Sequence, residues 1–149
     1  MDMHEKQEIN FCLEQIFRIT KALAPENNWS SIYIEGYIVG SITEVKSWYV
    51  LQNTETRIEF ETFDLDYINE DTKNNNIGNF IEKLRELTYH PNKGAWYTIS
   101  IEYTQNNKPL TAYNYSDIPA FEEPLPLAIY KKDLKLFPRP TEAIPSWLV

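Results

Sequence analysis

The apolar residues of this chain switch period along its length, and that switching constrains the fold more than any other feature. Ile9, Cys12, Leu13, Ile16, Phe17, Thr20 and Leu23 follow the three-four spacing that lines one face of a helix. Pro25 and the pair Asn27-Asn28 end it. From Trp29 the period becomes two. Ile32, Ile34 and Ile38 alternate with Tyr33, Glu35, Tyr37 and Val39, as in a strand with one face inward. Gly40-Ser41 offers a turn, Val45 to Leu51 a second strand, and Gln52 to Glu55 another turn. Arg57 to Phe63 alternates again, so three strands on short links form an antiparallel meander.

Asp64 to Asn76 is polar and acidic and reads as a loop. Ile77, Phe80, Ile81, Leu84 and Leu87 restore the helical stripe over about Asn76 to Tyr89, with an Asn from Asn74 to Asn76 as its cap. Pro91 and Gly94 close it. Trp96 to Tyr103 and Leu110 to Tyr115 alternate once more, joined by a turn at Gln105 to Lys108, where Asn tolerates positive φ. Six of the nine prolines follow Tyr115, so the tail from Ser116 to Val149 is built differently. Within it, Leu127 to Phe137 suits one short helix and Thr141 to Leu148 a turn. The predicted fold is α+β: an antiparallel sheet of about five strands, ordered helix, three strands, helix, two strands. Helices pack on one face, and the other is open or partly covered by the Pro-rich tail. The 149 residues suit a single domain over 1–149, large enough to stand without a disulfide or metal staple.

Composition narrows the function. A formal net charge of −8 speaks against nucleic acid and against an anionic membrane surface as partners, since both are met by clustered cations. One cysteine, Cys12, excludes an intramolecular disulfide framework and a multi-cysteine zinc site. On the helix stripe it reads as a buried structural thiol. No apolar run approaches ~20 residues. Met1 to Asn10 lacks a basic start followed by an apolar stretch, so a soluble cytoplasmic protein is expected.

Convergent catalytic groups are few. His4 and His90 are isolated in the sequence, and the nucleophile-elbow, zinc-protease and glycine-rich phosphate motifs do not occur. Asp64-x-Asp66 has the spacing of a Mg²⁺ pair, but no cation nearby would hold a phosphate, and a solvated acidic loop is the preferred reading. Expected catalytic residues, metal ligands and cofactors are therefore none. The stronger feature is charge distribution. Six acids, Glu59, Glu61, Asp64, Asp66, Glu70 and Asp71, occur without a Lys or Arg among them, and Tyr67 lies within the run. A second cluster, Asp117, Glu122 and Glu123, surrounds Phe121. Anions interleaved with aromatics suit a basic protein partner, because charge steers the encounter and rings supply buried area.

The tail carries a resemblance. Tyr113-Asn114-Tyr115-Ser116-Asp117 is followed by Pro119, Phe121-Glu122-Glu123-Pro124-Leu125-Pro126, Tyr130 and Asp133-Leu134. Phe137-Pro138-Arg139 and Ile144-Pro145-Ser146-Trp147-Leu148 close the chain. This pattern resembles the YezG-like family of bacterial immunity proteins, the antitoxins encoded beside secreted polymorphic toxins. The opening helix, the aromatic strands after Trp29 and Gly94-Ala95-Trp96-Tyr97 are similar in layout, whereas the Asn-rich run Asp71 to Asn76 has no counterpart. The resemblance implies a cytoplasmic, non-enzymatic inhibitor without cofactor that neutralises a cognate toxin C-terminal domain, often a nuclease, by binding it. It also implies structural roles for Asp117, Pro119, Phe121, Asp133, Pro138, Arg139, Pro145 and Trp147. The toxin-facing residues are not inherited from it, so the choice of the acidic clusters rests on charge. Two other readings stand beside it: an adaptor or secretion chaperone, and a small metal-dependent hydrolase around Asp64 and Asp66. Self-association is left open.

Overall fold

The computed structural model describes residues 2–62 and 76–149. The order is α1 (Met3–Leu23), β1 (Trp29–Val39), β2 (Ile42–Leu51), β3 (Arg57–Phe60), α2 (Ile77–Thr88), β4 (Thr98–Thr104), β5 (Leu110–Asn114) and α3 (Leu127–Leu136). Two single 3-10 turns, Thr141–Ala143 and Ser146–Leu148, end the chain. The strands form one antiparallel sheet in the order β3-β2-β1-β4-β5, so the fold is α+β as the alternating periods require.

Caps set the helix starts. The Asp2 carboxylate accepts the Glu5 N–H at 2.8 Å, and the Asn76 side chain accepts the Asn79 N–H at 2.8 Å. The apolar stripes of α1 (Cys12, Leu13, Ile16) and α2 (Ile77, Ile81, Leu84) bury against one sheet face. That face presents Ile32, Ile34 and Ile38 of β1, Tyr49 of β2, and Ile99, Ile101 and Tyr103 of β4. Each fully buried isoleucine stabilises the fold by ~1.5–3 kcal/mol. Gly36 interrupts the isoleucine series for a steric reason. A Cβ there would lie 2.7 Å from Ile81 Cδ1 and 3.1 Å from Ile99 Cγ2. The glycine lets α2 approach the sheet.

The tail covers one end of the opposite side. Tyr97, Tyr130, Leu148 and Val39 form a second buried cluster, with Trp147 packed on it. The Tyr130 and Trp147 rings meet edge-on at 5.1 Å, and Trp147 Nε1 donates to the Ser116 carbonyl at 2.6 Å. Asp133 on α3 holds Arg85 on α2, and its Oδ1 also accepts the Gly40 N–H at 2.7 Å. Arg139 donates to the carbonyls of Tyr115, Ala143 and Ala95. Gly94, at φ +90, leaves the space that the Arg139 side chain fills.

Several boundaries differ from expectation. The third strand ends at Phe60 rather than Phe63; Glu61 and Thr62 are not paired, and Phe63 lies outside the described residues. The fourth strand starts at Thr98 rather than Trp96, because the Trp96 carbonyl accepts Arg85 Nε at 2.7 Å instead of joining the ladder. The second strand begins at Ile42, directly after the Gly40-Ser41 turn. Among the described residues the asparagine with positive φ is Asn53 (φ 68), in the β2–β3 turn, not one in the β4–β5 turn. The loop expected over Asp64 to Asn76 falls almost entirely outside the described residues.

Candidate partner-binding surface

Past the register irregularity between Trp29 and Ser31, strand alternation sends Tyr33, Glu35 and Tyr37 of β1 away from the helices. The register then builds one continuous row across all five strands. Glu59 on β3 opposes Trp48 on β2, Trp48 opposes Tyr33 on β1, Tyr33 opposes Glu102 on β4, and Glu102 opposes Leu110 on β5. The neighbouring row runs Lys46, Glu35, Ser100, Ala112. Between them lies a groove of ≈ 310 Å³ whose walls include Tyr33, Trp48, Glu35 and Glu102. The Tyr33 hydroxyl donates to Glu102 Oε2 at 3.3 Å.

Charge on this face is lopsided. Glu35, Glu44, Glu59 and Glu102 share it with Lys46 and Arg57. Both cations lie on rings: Lys46 Nζ is 5.7 Å from the Tyr37 centroid, and Arg57 Cζ is 3.8 Å from that of Tyr33. Among the described residues neither makes an ion pair. Tyr37 marks where the tail begins to cover the face. Its ring meets Phe121 at 5.8 Å, and Glu44 Oε2 accepts the Glu122 N–H at 3.0 Å. Burial, then Glu35 by charge and hydrogen bond, then Glu44 and Glu59, push the Tyr37 hydroxyl far above its ordinary value, so it stays protonated.

No protein-family model and no curated protein matches the chain.

The residues chosen from the sequence are placed as follows. Glu59 stands in the aromatic row, and Glu61 is exposed just beyond it. Glu122 and Glu123 are exposed, and the bond from Glu122 to Glu44 brings the second acidic cluster to the same face as Glu59. Phe121 is half-buried against Tyr37, so its ring serves tail packing. Asp117 is exposed but engaged locally: Asn114 Oδ1 accepts its N–H at 2.9 Å, and Asn114 Nδ2 donates to its carboxylate at 2.9 Å. Asp64, Asp66, Tyr67, Glu70 and Asp71 lie outside the described residues. The open face adds Tyr33, Glu35, Glu44, Trp48 and Glu102, which no local cluster in the sequence marks. Their signal is the alternation itself, which puts acids and rings on the side that the isoleucines leave.

The candidate catalytic groups stay apart. His4 Nε2 lies 2.8 Å from Glu8 Oε1 within the first turns of α1, and His90 Nδ1 accepts the Asn92 N–H at 3.1 Å. Cys12 is fully buried, and burial pushes its thiol up against the partial pull of Lys83. Among the described residues no group of three His, Cys, Asp or Glu could hold a metal ion, and no helix is long and apolar enough to cross a membrane.

Proposed function

We propose that this chain is an immunity protein that neutralises a cognate toxin domain, a basic nuclease, by non-covalent occlusion, with the open sheet face as its contact surface. The row Glu59–Trp48–Tyr33–Glu102–Leu110 carries this reading. Tryptophan and tyrosine are the side chains that anchor protein interfaces, and the flanking carboxylates complement a cationic nucleic-acid groove. The tail covers the face at Tyr37 and stops short of Tyr33 and Trp48, so the anchors stay available while the sheet is braced beside them. The tail likeness to the YezG-like family agrees with such a role.

The experiment pairs the purified chain with the toxin domain encoded beside it. One-to-one binding and protection of cells expressing that domain are expected. Reversing Glu59 and Glu61 to Lys is expected to slow association about tenfold at low salt, with the difference shrinking as salt screens the face. A toxin domain that does not bind, or one whose export rises while cells stay unprotected, would overturn the reading.

A further inference from the structure

Arg57 occupies the open face in an incomplete way. Its guanidinium lies 3.8 Å from the Tyr33 centroid, a stacking distance. A guanidinium has two recognition modes: its plane stacks on rings and its edge donates to carboxylates. The groove offers both, with Tyr33 and Trp48 as rings and Glu35 and Glu102 as carboxylates. Arg57 uses the first mode alone, since among the described residues it forms no ion pair. It is exposed and stands on β3, an edge strand of four residues, so its side chain leaves the groove without disturbing the core. The ring it covers is held in place, because the Tyr33 hydroxyl is tied to Glu102. At ≈ 310 Å³ the groove sits at the small end of the ~300–1,000 Å³ range of ligand pockets, the scale of a side chain rather than a helix.

We propose that this groove is a receptor for one arginine side chain of the basic partner, and that Arg57 is its resident stand-in, displaced when the partner docks. The incoming arginine stacks on Tyr33 beside Trp48 and reaches the carboxylates that Arg57 leaves unpaired. Lysine lacks the plane and is the poorer occupant. This rests on the basic-partner reading of the same face and adds to it the chemistry of the central contact.

The test is an NMR titration of the full isotope-labelled chain with the capped peptides Gly-Arg-Gly and Gly-Lys-Gly, following the Trp48 indole and Tyr33 amide signals. Arg57→Gln is expected to bind Gly-Arg-Gly at least fivefold more tightly than the parent chain, and at least fivefold more tightly than it binds Gly-Lys-Gly. Tyr33→Phe, which keeps the ring, is expected to bind within about threefold of the parent. Tyr33→Leu is expected to lose the response while the amide signals of Ile99 and Ile101 stay in place. An Arg57→Gln chain that binds no more tightly, or that treats the two peptides alike, would overturn the proposal. An arginine peptide that binds beside a toxin domain that does not would uphold the receptor and overturn the immunity reading. The converse pair of results would do the reverse.

Discussion

Asp133 grips Arg85 with both carboxylate oxygens, at 2.6 and 2.8 Å, and the two side chains are only 2% and 1% exposed. The pair joins the tail helix to α2. Removing one partner strands a buried charge, which typically costs ~3–5 kcal/mol. Asp133→Ala is therefore expected to lower stability by about that amount. Replacing both partners, Arg85→Met with Asp133→Leu, is expected to cost less, because no charge is left unpaired and only the bonds to the Gly40 N–H and the Trp96 carbonyl are lost. Denaturant midpoints of the two variants check this, and a double variant no more stable than Asp133→Ala would contradict it.

Gly36 is expected to reject even one methyl group. In Gly36→Ala the new Cβ presses on Ile81 Cδ1 inside the main core. Overpacking of this kind costs ~1–3 kcal/mol. Ile81→Val removes the colliding methyl, so Gly36→Ala with Ile81→Val is expected to be less destabilised than the sum of the single changes. Thermal unfolding of all four chains reads that coupling. Strict additivity would mean that the helix shifts instead.

Stability is expected to decline in alkali. Burial raises the hydroxyls of Tyr37, Tyr97, Tyr103, Tyr113 and Tyr130 above their ordinary values, most plainly Tyr103, which donates to the Leu13 carbonyl at 2.8 Å. Below the unfolded value of ~10 both states hold these protons, and the full stability is present. Above it the unfolded chain releases them while the folded chain keeps them. Unfolding then becomes easier by ~1.4 kcal/mol per pH unit for each such tyrosine, until the folded group also ionises. Tyr103→Phe is expected to make the decline shallower between pH 10 and 11 by about one tyrosine's share, as read from unfolding midpoints across that window. An unchanged slope would remove Tyr103 from the linkage.

The elements were legible because each has its own period. The α1 and α2 stripes, the alternation in β1 and the proline-dense tail are local patterns, and an Asn cap on α2 follows from the side chain at position 76. Strand ends were less legible. The early stop of β3 and the late start of β4 depend on partners elsewhere; Arg85, for instance, takes the Trp96 carbonyl from outside the strand. The acidic clusters were visible as composition, yet their relation was not. Glu59 and Glu122 share a face only because Glu44, on β2 and ahead of both in sequence, binds the Glu122 N–H.

By itself the order of residues determined the α+β class, the number of strands and which side of each strand turns inward, since helical and extended backbones impose periods that a chain displays locally. It also determined a surplus of anions. Tertiary structure decided which outward residues meet. Tyr33 and Glu102 are 69 positions apart, and Arg85 and Asp133 are 48 apart. Periodicity names a side chain's face and says nothing of its neighbour across the ladder. Strand order and register supply that neighbour, and they follow from how the whole apolar surface is buried at once.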